Sequence, residues 1–186
     1  IKKVNKDLEE GRYFYTELKR YGIMLYNNNN SKLARRKPLK YPEIKKQAAV
    51  YFDVRYDRAD GFLKGAVFYY NDGDYALCSF NLHQACENFF NAISLTFTLR
   101  NDKQHNLEEL LKATDEYAPE LISVFPVGNA EEERLFKILV RSYVEARYNP
   151  EFEVSREDIE ALMVKVEKFG EVTKQVCERR IREYEE

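Results

Sequence analysis

One stretch of the chain, YYNDGDYALCSFNLHQACENFFNAI at residues 69–93, decides the fold. Around Gly73 it contains the turn residues Asn and Asp, which break any helix. Before the break, apolar residues recur at three- and four-residue steps back to Pro42, a residue suited to the first turn of a helix. After it, Asp72 or Asp74 can cap a second helix. That helix is predicted to run through Leu77, Phe80, Ala85, Phe89, Ile93 and Phe97 to about Leu99.

Three further helices are predicted downstream. One opens after His105, a second covers residues 130–148 and stops before Pro150, and the last starts where Ser155 can cap it. The chain has only 7 Gly and 5 Pro among its 186 residues. Short all-β folds need more turn residues than that. The predicted fold is therefore all-α, an up-and-down bundle of about five helices.

The N-terminal part has a different pattern. Residues 1–18 are helix-like with a weak point at Gly11, and the apolar run at residues 22–26 reads as a short strand. Four consecutive asparagines at 27–30 then break all periodicity. We predict three regions: a helix-strand stub at residues 1–27, a basic linker at 28–41 and the bundle at 42–186. Basic residues dominate from Lys32 to Lys46, which suits a solvated linker or an arm that contacts phosphate.

Composition narrows the class of protein. Apolar residues make up 44%, charged residues 33% and the net charge is −2, which is typical of a folded soluble domain and not of a general polyanion binder. No apolar run is long enough for a membrane span. The three cysteines lack metal-ligand spacing and lie in apolar helical patterns, so we expect buried, reduced thiols and a cytoplasmic location.

Two polar groups stand out on these helices. His83, Glu87 and Asn91 are spaced i, i+4, i+8 and form one polar stripe on an apolar helix. Arg141 and Tyr148, with Arg147 beside them, lie on the fourth helix, where Arg can bind phosphate and Tyr can stack on a base. A stripe of this kind fits an interhelical or dimer-interface network, or a ligand site. One His with one Glu supplies too few ligands for a metal, and we expect no cofactor.

The stretch quoted above, followed by HNLEELL at residues 105–111 and RSYVEARYN at 141–149, resembles the HEPN family. The resemblance covers about residues 42–186. The matching positions are Ala76, Phe80, His83, Gln84, Ala85, Glu87, His105, Leu107, Leu110, Arg147 and Tyr148. It implies a helical bundle that commonly forms homodimers and has a cleft associated with nucleotides or RNA.

Many members of that family are metal-independent ribonucleases that use an Arg-x(4–6)-His motif. Counted from Arg141, the three positions for that histidine hold Ala146, Arg147 and Tyr148. The first hypothesis is therefore a nucleotide- or RNA-binding module, with His83, Glu87, Asn91, Arg141, Arg147 and Tyr148 as its site. The alternatives are a ribonuclease in which His83 or His105 replaces the missing histidine, and a purely structural dimerisation module.

The stub is similar to the tail of nucleotidyltransferase domains that precede HEPN domains in fused proteins. This resemblance rests on VNKDLEEGRYFYTELKRYGIMLYN, residues 4–27. It implies an upstream nucleotidyltransferase domain as a partner in the same polypeptide. The catalytic motifs of that enzyme do not occur in these 186 residues, so we expect no catalysis from this part alone.

Overall fold

The computed structural model describes residues 1–26, 32–35, 38–101, 104–125 and 128–184. Within these ranges the chain forms helices and no strand: α1 (Lys2–Glu9), α2 (Tyr13–Tyr21), α3 (Tyr41–Asp72), α4 (Tyr75–Thr98), α5 (Leu107–Thr114), a short 3-10 helix (Pro119–Ser123), α6 (Ala130–Tyr148) and α7 (Arg156–Glu183). Helices α3 to α7 are the five helices of the predicted bundle, which confirms the fold class.

Helix α4 lies at the centre of the bundle and packs against α3, α5, α6 and α7. Its sequence explains this position, because apolar residues cover more than one of its faces. The largest of them, Phe89 and Phe90, meet Phe169 of α7 with ring centroids 5.3 and 4.5 Å apart. Phe125 adds a third ring against Phe169 at 5.5 Å. This aromatic cluster excludes water from the middle of the molecule.

Helices α3 and α4 form a close antiparallel hairpin. Gly73 ends α3 in the left-handed region, at φ 82°, where a side chain is disfavoured. The Asp74 carboxylate then accepts a hydrogen bond from the Leu77 N–H at 2.9 Å and caps α4. Farther along, a Cβ at Gly65 would stand 2.6 Å from the Asn81 amide oxygen. A side chain at position 65 would therefore have to displace the Asn81 side chain from this contact between the two helices.

Three of the other helices begin directly after a residue whose side chain caps them. The side chains of Asn106, Asn129 and Ser155 accept hydrogen bonds from backbone N–H groups at the start of α5, α6 and α7. Arg134 of α6 reaches the Asp158 carboxylate of α7 at 3.0 Å. The predicted starts of these helices are confirmed, and at α7 the prediction rested on Ser155 as the capping residue.

The N-terminal stub differs from its prediction. The helix predicted at residues 1–18 is two helices, because Gly11 adopts φ 65° between them. The strand predicted at residues 22–26 is not confirmed: these residues are exposed and have no regular structure. The described residues hold no second strand to pair with this run. Asn27–Ser31, where we predict the domain junction, and Arg36 and Lys37 of the basic tract lie outside the described residues, so the three-region division stays a prediction.

Two further expectations concern the cysteines and the membrane. Cys78, Cys86 and Cys177 are all buried free thiols. Burial raises the pKa of Cys78 and Cys177 to about 12, so neither is an activated nucleophile at neutral pH. In the part of the chain that the structure describes, no helix has both the length and the apolar character required to cross a lipid bilayer.

Candidate functional site

His83 of α4 is fully enclosed, with 1% of its surface exposed. Its Nδ1 lies 3.0 Å from the Leu139 carbonyl oxygen of α6, and because a carbonyl can only accept, we assign the ring proton to Nδ1. Nε2 is then an acceptor, and it has no hydrogen-bond partner among the described residues. Burial lowers the pKa of His83, with the Leu139 carbonyl opposing the shift. The imidazole is therefore neutral at pH 7.

One turn along α4, the carboxylate of Glu87 is also buried. Its Oε1 lies 3.1 Å from Nδ1 of His105, which precedes α5, and its Oε2 accepts a hydrogen bond from Gln84 at 3.2 Å. The His105 side chain is 59% exposed. Glu87 therefore orients an imidazole whose other edge faces solvent.

Tyr143 of α6 joins the two histidines. Its ring centroid is 5.1 Å from that of His83 and 5.6 Å from that of His105, and the ring planes of Tyr143 and His105 are 6° apart. Phe80 stacks near the same tyrosine at 6.4 Å. Both histidines of the chain thus contact one tyrosine. We call Phe80, His83, Glu87, His105 and Tyr143 the histidine cluster.

Arg147 lies over the outer edge of the histidine cluster. Its guanidinium carbon is 4.2 Å from the ring centroid of Tyr143 and 5.3 Å from that of Phe80. Its Nε donates to the Tyr143 carbonyl at 2.6 Å. Among the described residues, no carboxylate forms an ion pair with Arg147. The guanidinium is exposed, so it presents its remaining donors to solvent beside an aromatic surface.

The sequence-predicted site residues divide into three groups. His83, Glu87 and Arg147 come together around Tyr143. Arg141 and Tyr148 lie elsewhere on α6, because Arg141 is two residues from Tyr143, about 200° around the helix, and Tyr148 is five residues from it, about 140° around the helix. Arg141 instead lies 3.8 Å from Glu145 and 6.0 Å from the Phe152 ring, while Tyr148 is 74% exposed with Arg147 over its ring at 5.0 Å.

Asn91 is the third case, because it lies with neither of the two sets just described. It is 3% exposed, and its Oδ1 has no hydrogen-bond partner among the described residues. It stands two turns from His83 on α4, in the interior of the bundle. Its role as a ligand contact stays a prediction.

Tyr143 was not among the site residues predicted from the sequence. One signal was available: Tyr143 precedes Arg147 by four residues, the spacing that brings a ring under a guanidinium on a helix. His105 was named only as a ribonuclease candidate. Nothing local indicated its contact with Glu87.

The arrangement offers groups for binding and for proton transfer. The described residues contain no group of three His, Cys, Asp or Glu placed to hold a metal ion. What they provide is an exposed guanidinium, stacked rings and an imidazole held by a carboxylate. Such groups recognise phosphate and bases, and an oriented imidazole can move protons near neutral pH.

Comparison with protein-family models gives a match. The family model described as HEPN domain matches residues 52–176, more than half of the chain. The match includes α4, α5 and α6 entirely, and therefore every residue of the histidine cluster and Arg147. No curated protein matches the chain.

Proposed function

Because the chain belongs to the HEPN domain family, we propose that its bundle is a nucleotide- or RNA-binding module whose contact surface is Arg147 with the histidine cluster. The observation that carries this proposal is the guanidinium of Arg147 stacked 4.2 Å over Tyr143 without a carboxylate partner. By contrast, Arg134 near the start of the same helix is paired with the Asp158 carboxylate at 3.0 Å. A phosphate would supply the missing anion at Arg147.

The stacked rings support the same proposal. Single-stranded bases stack on aromatic side chains, and each such contact contributes roughly 1–3 kcal/mol. His105 and Tyr143 are nearly parallel, and His105 is exposed on the side away from Glu87. A base stacked there would lie beside the Arg147 guanidinium. Glu87 and His83 then act as positioning residues, since both are buried and hold the exposed rings in place.

Binding is tested by fluorescence anisotropy with short labelled RNAs and by calorimetric titration with ATP and GTP. We expect Arg147→Ala to weaken binding about tenfold, which corresponds to the loss of one charged contact. The slope of the logarithm of affinity against the logarithm of salt concentration should become shallower by about one, as expected for the loss of one phosphate contact. Arg182→Ala removes an exposed arginine from α7 and serves as the matched control. Equal affinities of Arg147→Ala and the unchanged protein would contradict the proposal.

A metal-independent ribonuclease is the second candidate, and one observation favours it. The exposed imidazole of His105 is held by the Glu87 carboxylate beside Tyr143, whereas His83 is enclosed and can act only by positioning the tyrosine. An oriented, accessible imidazole can serve as a general acid or base in phosphodiester cleavage. Labelled RNA incubated with the protein in EDTA should be cleaved, and His105→Gln should stop cleavage. RNA that stays intact with the unchanged protein excludes this activity.

A partner domain is a separate part of the proposal. The stub at residues 1–27 supports the idea that the module serves a nucleotidyltransferase domain upstream in the same polypeptide, joined through a linker at 28–41. The exposed apolar residues Ile23, Leu25 and Tyr26 suit a segment that packs against another domain. The complete reading frame tests this directly. A frame without paired catalytic carboxylates upstream would refute it.

Homodimer formation is proposed on the same basis and is measured independently. Sedimentation at micromolar concentration should give twice the mass of the chain. A monomer at that concentration would refute the proposed dimer. It would not affect the proposal for Arg147, because the described contacts of Arg147 lie within one chain.

A further inference from the structure

A pocket that none of the histidine-cluster residues line lies between α2, α3 and the end of α4. Its volume is about 330 Å³, within the lower range of pockets that hold small ligands. Its lining combines apolar side chains with side chains that end in polar groups. It is formed by Tyr13, Phe14, Tyr51, Val54, Arg55, Arg58, Leu95 and Asn101.

The two arginines of this pocket are one helical turn apart on α3, so their side chains share a face. Arg55 is half-buried, whereas Arg58 is exposed. Burial lowers the pKa of Arg55, and the neighbouring charge of Arg58 lowers it further, with Glu87 opposing both. Two like charges are therefore held close together, which is unfavourable unless something offsets them.

No carboxylate of the described residues forms an ion pair with either arginine. Arg55 donates one hydrogen bond at 3.2 Å to the neutral amide oxygen of Asn88. Glu87 lies near enough to influence Arg55, but its two oxygens already bind His105 and Gln84. Arg156 of α7 shows the ordinary arrangement, with Glu160 2.9 Å from its Nε. The positive charge at Arg55 and Arg58 thus lacks a direct counter-ion within the described chain.

Other features of the pocket suit a polar ligand. The Oδ1 atom of Asn101 is buried and has no hydrogen-bond partner among the described residues; as an acceptor it can take a hydrogen bond from a hydroxyl of a phosphorylated ligand, not from the oxyanion itself. The hydroxyl-bearing rings of Tyr13 and Tyr51 line the same space, and Leu95, which is 5% exposed, forms an apolar wall on one side. A low-dielectric wall strengthens the attraction between guanidinium and an oxyanion.

We propose that Arg55 and Arg58 form a binding site for a phosphate group, separate from the surface around Arg147. The phosphate accepts hydrogen bonds from both guanidiniums and relieves their mutual repulsion. It comes either from a small phosphorylated molecule or from the 5′ end of a nucleic acid. No bond forms or breaks at this site, and its existence does not depend on binding at Arg147.

Titration with inorganic phosphate, followed by phosphorus NMR and calorimetry, tests the site directly. The unchanged protein should bind phosphate, and Arg58→Gln should bind it about tenfold more weakly, as the loss of one charged contact predicts. Arg58 is exposed, so this change should leave the helical circular dichroism unaltered. Arg58→Lys keeps the charge and should bind within a few-fold of the unchanged protein. Arg182→Gln is the matched control.

A second arm distinguishes the two sources of phosphate. The same short RNA is compared with and without a 5′-phosphate. If the phosphorylated RNA binds more tightly and Arg58→Gln abolishes the difference, the site takes a nucleic-acid end. If only inorganic phosphate and phosphorylated small molecules respond to Arg58→Gln, it takes a small molecule.

Three outcomes separate this proposal from the first one. Absence of phosphate binding by the unchanged protein overturns it, and so does equal phosphate binding by Arg58→Gln. A loss of RNA binding in Arg147→Ala together with unchanged phosphate binding supports two separate sites. An absence of any RNA binding overturns the function proposed for Arg147 without affecting this site.

Discussion

The contact of α4 with α7, called here its apolar side, and its contact with α6, called its polar side, are equally buried but differ in what burial achieves. On one side, Phe89 and Phe90 pack against Phe169, and a Cβ at Gly170 would stand 2.9 Å from the Phe89 ring. On the other side, His83 is just as inaccessible, yet its Nε2 has no partner among the described residues. The apolar side is complete within the chain, whereas the polar side retains unused hydrogen-bonding capacity.

This difference divides the roles of the helix. A filled apolar contact contributes stability and nothing to recognition, since it exposes no group to a ligand. A buried polar group lowers the free energy of unfolding unless it is hydrogen-bonded. Its presence next to exposed rings is therefore better explained by a binding site than by a contribution to stability. Changes on the apolar side should therefore lower the free energy of unfolding, and changes on the polar side should mainly alter binding or its pH dependence.

The largest expected effect comes from the apolar side. Phe169→Ala removes the ring that joins Phe89, Phe90 and Phe125, and a large aromatic deletion of this kind costs about 3–5 kcal/mol of unfolding free energy. Urea unfolding followed by circular dichroism measures it. The affinity for RNA should not change at temperatures where the variant is folded.

Val164→Ala is the matched control, because Val164 is on the same helix but 68% exposed. Its effect should stay below about 0.5 kcal/mol. If Phe169→Ala destabilised the protein no more than this control, the apolar side of α4 would not be the main source of stability.

A smaller effect is expected from His83 and depends on pH. Burial lowers its pKa in the folded state, so the unfolded chain, with an ordinary histidine pKa of about 6.5, takes up the proton first as the pH falls. The free energy of unfolding should therefore decrease below about pH 6.5, by at most about 1.4 kcal/mol per pH unit, until the folded pKa is reached. Well above pH 6.5, where His83 is neutral in both the folded and the unfolded state, it contributes no pH dependence to the free energy of unfolding.

His83→Gln should remove this part of the pH dependence, since an amide can still donate to the Leu139 carbonyl but does not titrate. Unfolding is measured in urea between pH 5 and pH 7.5. His105→Gln is the control for a histidine that is largely exposed. Identical pH slopes for His83→Gln and the unchanged protein would show that burial does not lower the pKa of His83 below that of the unfolded chain.

The bundle could be predicted from the sequence because its signals are local. Gly73 and Asp74 mark the end of one helix and the start of the next, and the spacing of apolar residues gives the buried face of each. The run at residues 22–26 misled for a physical reason. A short apolar run is compatible with either a strand or an exposed irregular segment. Only the presence of a second strand to pair with decides between them.

The site was harder to predict because its contacts are distant in sequence. His105 meets Glu87 after the chain turns back at the end of α4, and that turn begins at Leu99 with φ 55°. A positive φ is usually provided by glycine, so the sequence carries no signal for this turn. The position of Arg141 away from the histidine cluster also required the rotation of α6, which periodicity alone does not give.

The smallest expected effect concerns the residue on which both sides of α4 depend. Asp74 caps the first turn of α4 by accepting from the Leu77 N–H, and it contacts neither the aromatic cluster nor the histidine cluster. Asp74→Ala should cost about 1 kcal/mol of unfolding free energy, whereas Asp74→Asn, which keeps an acceptor oxygen, should cost less. Affinities for RNA and phosphate should be unchanged in both, as measured by anisotropy and calorimetry. A loss of affinity in Asp74→Ala alone would mean that the two sides of α4 are coupled through the helix start, and that the division between a stabilising side and a binding side is too simple.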